Sequence, residues 1–436
     1  MSKEKQIVLT YAWGTPNAGD HALTLGAIEL LLNHTKESNI TIISRFSSEN
    51  DPKDPTLDIK NRYPNIEVLE SPFKFSRKTV IDRFFEKVYG LVMLLLVSFF
   101  PSLSLKLFRN NKALHSIANA KIVLCNGGNL FYWNRHRKSL PRLLALAMPM
   151  IMAKKLKVPY AFLPQTMGPI ENTTLLNYTK ELLTAAEFVM FRDNNSFNYM
   201  KNIIDVEKEN IKLVPDLAFF VSQDYLNLQE EVNKKLENIG ITKDDKFLTV
   251  TLRASQLGDP ESVTGESVNK EAIENVTNYI KNLVIPVAKT KNLGILIVEQ
   301  TDVDDETSHY FEQQCKEMTS NKISYISNRD PLFLSALYLR SECLVGMRLH
   351  SLIFALRVNK PAFAVYLKQF GPKTPGIYSS FELNDYCVDM EEINSKQASD
   401  KLLTMLNNYN IVEKQIKDTL DKELEKEKNM IKKYIY

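Results

Sequence analysis

A chain of 436 residues that is 44% hydrophobic and 25% charged reads as folded rather than disordered. It exceeds the roughly 250–300 residues that one core supports, so two domains are expected. A net charge of only +3 argues against a general nucleic-acid binder, and four widely spaced cysteines, Cys125, Cys315, Cys343 and Cys387, exclude a disulfide framework and fit a reducing compartment.

The opening Met1-Ser2-Lys3-Glu4-Lys5 runs straight into the strand-like Ile7-Val8-Leu9-Thr10. That leaves no room for a cleavable secretory signal, and a cytoplasmic location is expected. Strands and helices then alternate in two blocks, the pattern of α/β domains. In the first block, residues 1–222, strands are expected at Ile7–Tyr11, Ile40–Ser44, Lys121–Cys125, Tyr160–Pro164, Glu187–Phe191 and Ile211–Leu213. Its helices are expected at Asp20–Asn33, Leu140–Leu156, Leu175–Ala186 and Asn195–Asn202. A polar stretch rich in Glu and Lys, residues 223–246, is read as a linker.

The second block, residues 247–400, has expected strands at Phe247–Leu252, Gly294–Glu299, Ile323–Ile326, Cys343–Val345 and Ala362–Val365. Helices are expected near Lys270–Thr290, Thr307–Met318, Pro331–Arg340 and Ser351–Leu356. The tail, residues 401–436, carries Ile411, Ile416, Leu420 and Leu424 at helical spacing and reads as an amphipathic surface helix. Two Rossmann-like, doubly wound domains facing a cleft are the expected architecture.

One part of the first block departs from this regularity. Between Lys74 and Arg142 there are 13 Lys or Arg against two acids, Asp82 and Glu86, a local balance of +11 that leaves −8 for the remainder. Within it, Val88–Leu105 is uncharged and largely apolar. Spanning a bilayer takes roughly 20 apolar residues, and Pro101 with three serines makes this run marginal. A helix buried in the first domain is one reading. The collar of cations on both sides favours the other, an insertion near residues 74–115 that contacts a membrane surface as a half-inserted or interfacial helix.

Several short runs sit where strands end. Gly14-Thr15-Pro16-Asn17-Ala18-Gly19-Asp20 enters the first helix; its glycines permit close backbone approach, although Asp20 as a simple cap fits equally. Asn126-Gly127-Gly128-Asn129, followed by Tyr132 and Trp133, and then Gln165-Thr166-Met167-Gly168-Pro169 read as polar loops suited to a sugar or as plain turns. Arg192-Asp193 and Asp216 suit either a ligand or a structural ion pair. Glu299, Gln300, Asp302, Asp304 and Asp305 form an acidic run without a histidine pair, so a solvated loop is favoured over a metal site. Arg253 ends one strand, and Gly346-Met347-Arg348-Leu349-His350-Ser351 joins another to an apolar helix. A guanidinium beside an imidazole suits a small anion that must be held and protonated. Structural roles for both, at the sheet edge and in the core, are the alternative.

In this order the motifs resemble the polysaccharide pyruvyl transferase family. The shared features are Asn17-Ala18-Gly19-Asp20, Asn126-Gly127-Gly128-Asn129, Gln165-Thr166-Met167-Gly168-Pro169, Arg192-Asp193, Pro215-Asp216 and Gly346-Met347-Arg348-Leu349-His350, then Lys360-Pro361 and Tyr366 with Lys368 or Lys373. The usual glycine triplet is reduced to Asn126-Gly127-Gly128, and Asn359 stands where glycine is common.

The resemblance implies a GT-B-like enzyme that takes pyruvate from phosphoenolpyruvate and places it as a ketal on a sugar, with no cofactor and no metal. On that reading His350 is the acid and Arg348 clamps the donor, with Leu349, Arg253, Arg192, Gln300 and Lys368 on the donor side. The acceptor meets Asn17, Gly19, Asp20, Asn126, Gly128, Asn129 and Gln165, and Asp20 helps deprotonate a hydroxyl. The basic, apolar insertion extends this to a sugar on a polyprenyl diphosphate, reached by a peripheral or monotopic protein at the inner face of the membrane. The rivals are a GT-B glycosyltransferase using a nucleotide sugar and a non-catalytic, membrane-associated scaffold of the same fold.

Overall fold

The computed structural model describes residues 6–435 apart from 13, 16, 36–38, 45–55, 72–79, 134–139, 205–207, 255–269, 320 and 369–372. The chain forms two compact units. One comprises Met1–Thr15, Asp20–Phe220 and Glu423–Tyr436, the other Pro16–Gly19 and Val221–Lys422.

The first unit is built on an eight-stranded sheet of β1 (Ile7–Ala12), β2 (Ile40–Ser44), β3 (Glu67–Glu70), β4 (Ile122–Cys125), β5 (Gly128–Trp133), β6 (Tyr160–Ile170), β7 (Val189–Phe191) and β8 (Ile211–Leu213). Their order is β3-β2-β1-β4-β6-β7-β8, with β5 pairing on β6, and every pairing is parallel. Strands covered on both faces need apolar residues at odd and even positions alike. Ile7 and Leu9 accordingly enter one core cluster, and Val8 enters the other. The helices are α1 (Ala18–His34), α2 (Thr56–Arg62), α3 (Val80–Phe99), α4 (Pro101–Leu107), α5 (Lys112–Asn119), α6 (Leu140–Leu156), α7 (Thr173–Thr184) and α8 (Asn194–Lys201).

The second unit opens with α9 (Gln229–Asn238) and then alternates β9 (Phe247–Thr251), α10 (Lys270–Lys291), β10 (Gly294–Glu299), α11 (Asp305–Met318), β11 (Ile323–Ser327), α12 (Pro331–Arg340), β12 (Cys343–Gly346), α13 (Leu349–Arg357), β13 (Ala362–Tyr366), α14 (Lys373–Ser380), β14 (Cys387–Asp389) and α15 (Ser395–Asn407), while α16 (Tyr409–Ile435) belongs to it up to Lys422 and to the first unit from Glu423 on. Its sheet runs β11-β10-β9-β12-β13-β14, all parallel. The order reverses at the β9/β12 boundary. In doubly wound sheets the carboxyl ends of the strands at such a boundary are where ligands bind.

Four segments differ from their reading in sequence. Residues 223–246 are not a bare linker, because α9 buries Val232 and Leu236 at i, i+4 in the second unit while its charged residues face outward. The run after Pro164 is not a loop: β6 continues to Ile170, with Gly168 at φ +76° where a Cβ would lie 2.3 Å from the Tyr199 ring. Gly128 opens strand β5 rather than ending a turn. The tail is amphipathic, as Val412, Ile416 and Leu420 show, but it is no mere surface helix: Met430, Ile431 and Ile435 enter the first-unit core.

The four cysteines are free, with Cys125, Cys315 and Cys343 buried. Among the described residues no helix is long and apolar enough to cross a membrane.

Candidate functional site

The second unit brings several of the singled-out residues to the carboxyl ends of β9, β10 and β12. Gly346 ends β12, Met347 N–H donates to the Thr251 carbonyl at the end of β9 (3.0 Å), and Arg348 becomes the N-cap of α13. The turn is tied further by Ser351 Oγ donating to the Arg348 carbonyl (2.7 Å) and by the Thr251 and Ser351 hydroxyls at 2.9 Å. Arg348 makes no side-chain bond to the first-turn amides, an arrangement that suits an approaching anion.

The Arg348 guanidinium turns to Asp304 instead. Its Nε donates to Asp304 Oδ2 at 2.6 Å and its Nη2 to Oδ1, in a pair whose side chains are 8% and 3% exposed. Burial pushes the Asp304 carboxyl up, while Arg348 and Arg253 pull the other way. Asp304 is therefore not part of a solvated loop. It holds Arg348, and the fork expected to clamp a donor is filled by a carboxylate in this structure. Arg253, half-buried after β9, also lies within electrostatic reach of Asp304.

Around this pair, Glu299 at the end of β10 is buried, accepts from the Tyr325 hydroxyl, and lies 3.4 Å from Arg329 Nη2. The next residue, Gln300, is 2% exposed, and its Oε1 has no hydrogen-bond partner among the described residues. No cluster of three or more His, Cys, Asp or Glu suited to a metal occurs among the described residues.

His350, on the first turn of α13, is half-buried. A side-chain carbon placed on Gly19 would lie 1.9 Å from His350 Nδ1 and 2.3 Å from its Cγ. Only a residue without a Cβ lets the backbone come this close to the imidazole. Gly19 is held there by Asn17, whose Oδ1 accepts from Gly19 N–H (3.0 Å) and whose backbone forms an antiparallel bridge with Thr301. Asn17 and Gly19, expected on the first domain with the acceptor, thus cluster with the second unit beside His350. Leu349 is partly exposed next to them, and Lys368 is exposed, with Glu392 bonding its ammonium and raising its pKa.

The first unit holds the remaining candidates. Asp20 lies partly exposed in the first turn of α1. Asn126 is fully buried: its Nδ2 donates to the Tyr11 carbonyl (2.8 Å) and Thr24 Oγ1 (3.2 Å), and its Oδ1 accepts from Gly127 N–H (2.8 Å). Gln165, also fully buried, donates from Nε2 to the Asn126 carbonyl (2.5 Å), and its Oε1 has no partner among the described residues. These two amides tie the ends of β1 and β4 to the middle of β6. Arg192 is likewise internal, with Nη1 on Asp216 and Nε on Thr166 Oγ1 (2.9 Å). Gly128 is buried at the start of β5, and the Asn129 side chain lies outside the described residues.

The model of the polysaccharide pyruvyl transferase family matches residues 17–369. The chain belongs to that family. Membership makes it a pyruvyltransferase of polysaccharide biosynthesis, whose acceptor is a polysaccharide sugar. A comparison with curated proteins returned no match.

Among solved structures, this pyruvyl transferase is similar to the UDP-GlcNAc 2-epimerase of Neisseria meningitidis bound to UDP-GlcNAc, at 11% identity over 99% of each chain with a TM-score of 0.61. It is also similar to Anabaena Alr3699/HepE in complex with UDP and glucose (12%, 98% of each chain, TM-score 0.57) and to the UDP-GlcNAc 2-epimerase of Methanocaldococcus jannaschii (14%, 93% of each chain, TM-score 0.56). These likenesses establish a GT-B-like fold of two Rossmann-like domains.

Proposed function

We propose that this pyruvyl transferase takes its pyruvyl group from phosphoenolpyruvate and sets it as a cyclic ketal on two hydroxyls of a sugar carried by a polyprenyl diphosphate, at the cytoplasmic face of the membrane. The family match over residues 17–369 carries this reading. It is supported by the imidazole of His350, set against Gly19, and by Arg253 and Arg348, which follow β9 and β12, the two strands at which the sheet order reverses.

The chemistry needs a proton first. His350 delivers it to the methylene carbon of the enol, and the neighbouring carbon becomes electrophilic. One sugar hydroxyl bonds to that carbon, phosphate leaves with the electrons of its C–O bond, and the second hydroxyl closes the ring. Of the two hydroxyl protons released, one restores His350 and the other departs on phosphate. Asp20 is the acceptor-side carboxylate. With Asp304 in the Arg348 fork, Arg253 is the cation that meets the donor, and Arg348 holds the turn that presents His350. Gln300 and Lys368 complete the donor side.

The test is incubation with phosphoenolpyruvate and lipid-linked sugars, reading by mass spectrometry a gain of pyruvate less water together with phosphate release. In a thermal-shift comparison phosphoenolpyruvate should stabilise the protein, and uridine diphosphate should not. Stabilisation by the nucleotide alone, with no pyruvylated product, would overturn the proposal in favour of nucleotide-sugar transfer.

A further inference from the structure

We propose that the outward face of α3 and α4 docks on the surface of an anionic lipid bilayer, lying in the plane of the interface. Twelve of the nineteen large apolar side chains exposed among the described residues fall between Ile81 and Leu107. Such concentration on a single surface marks an interaction site rather than scattered exposure.

The periodicity of α3 explains how this arises. Gly90, Met93, Leu94 and Val97 are buried, the last three in the core of the first unit. Ile81, Phe84, Val88, Val92, Leu95 and Phe99 recur at spacings of three and four residues and are 40–72% exposed. At 100° per residue these sets lie on opposite sides of the helix. The helix is thus apolar on the side that packs and apolar on the side that does not. After Phe99 the outward face continues through Phe100, Leu103 and Leu107, each about half exposed or more.

Charge selects the occupant. Lys87, Lys106, Arg109 and Lys112 are exposed along the same segment, and Glu86, the acid among its described side chains, is half-buried. A second copy of the chain on this face would set cations against cations. Anionic headgroups satisfy the cations while the apolar stripe enters the acyl boundary, and aromatic side chains such as Phe84, Phe99 and Phe100 suit that depth. No described helix is long and apolar enough to cross the bilayer, so the contact is with one leaflet.

The inference deepens the proposed membrane location of the acceptor and rests on it only for its purpose. Substrate-free vesicles therefore separate the two: failure of docking leaves the pyruvyl chemistry standing, and failure of transfer leaves the docking standing. The experiment is flotation of the purified full chain with vesicles of phosphatidylcholine alone or mixed with phosphatidylglycerol, at low and high salt. Binding should favour the anionic vesicles by about 10-fold or more and weaken in salt.

Leu91→Glu/Leu95→Glu/Phe99→Glu alters exposed positions only, so it should keep its circular dichroism spectrum and lose vesicle binding. Lys106→Glu/Arg109→Glu should lose the preference for anionic vesicles. The proposal is overturned if the wild type stays with neither vesicle, if the folded triple variant binds as well as wild type, or if the face instead holds a dimer that the triple variant dissociates.

Discussion

Arg348 and Asp304 meet in a buried, two-pronged ion pair that ties the end of β12 to the turn after β10. A guanidinium so engaged holds the start of α13, and with it His350, in place. Removing one partner strands a buried charge, which costs about 3–5 kcal/mol, whereas replacing both by apolar side chains of similar size costs far less. Asp304→Ala and Arg348→Ala should each lower the urea midpoint strongly, and Asp304→Leu/Arg348→Met should recover most of the loss. If the single and double substitutions proved additive, the pair would not be the coupled unit described.

Gly19→Ala tests the approach to His350. The new methyl group would sit 1.9 Å from Nδ1, so the ring or the backbone must move. A displacement of about 1 Å in a reacting group can lower turnover on the order of 10²-fold. We expect kcat to fall by that order with little change in melting temperature, measured by phosphate release and calorimetry. Wild-type kcat in a folded variant would remove His350 from the chemistry.

His350→Gln keeps hydrogen-bonding capacity and removes the proton donor. Loss of a positioned general acid lowers rate about 10²–10⁴-fold. The loss should appear in kcat, with the affinity for phosphoenolpyruvate read by thermal shift nearly intact. Arg253→Ala should do the reverse, weakening that affinity first.

Glu427 predicts a pH dependence of stability. It is fully buried in α16, its carboxyl oxygens have no partner among the described residues, and burial, with Asp216 adding to it, pushes its pKa well above the ordinary value of 4.5. The native state therefore binds this proton more tightly than the unfolded chain. Below the ordinary value both states are protonated and nothing is lost; above it, stability falls as pH rises toward the raised native value. Glu427→Gln should be stabilised at neutral pH, by about 2–4 °C for each kcal/mol recovered, and should show a flatter profile of melting temperature against pH. An unchanged profile would mean that Glu427 is not buried as described.

Much of the fold was legible along the chain. Ile40–Ser44, Ile211–Leu213, Leu140–Leu156 and Pro331–Arg340 match the structure residue for residue: the first is a short β-branched run, the second alternates apolar and polar residues, and the last two are long and largely apolar. The glycine of the Gln165–Pro169 run was visible as a special position, but its strand was not, since Gly168 and Pro169 normally end one. Strand β3, Glu67-Val68-Leu69-Glu70, carries acids at both ends and an edge position that no apolar run marks.

The candidate site was legible as residue types and not as partnerships. Arg348 and His350 stood out by their place at a strand-to-helix junction, yet Asp304, 44 residues away, looked like one acid of a solvated loop. Arg192 suits a ligand or a structural ion pair equally by its place in the chain, and Asp216 and Thr166 engage it for the second.

What the amino-acid order by itself determined is the alternation of strands and helices, the doubly wound class, the motif set of a pyruvyl transferase and the basic, apolar insertion, all properties of neighbours along the chain. Tertiary structure alone decided that Gly19 lies against His350, that Asp304 fills the Arg348 fork and that one face of α3 is buried while the other is bare. The reason is physical: periodicity reports how a segment divides its own faces, whereas pairing of charges and close backbone approach depend on groups that only folding brings together.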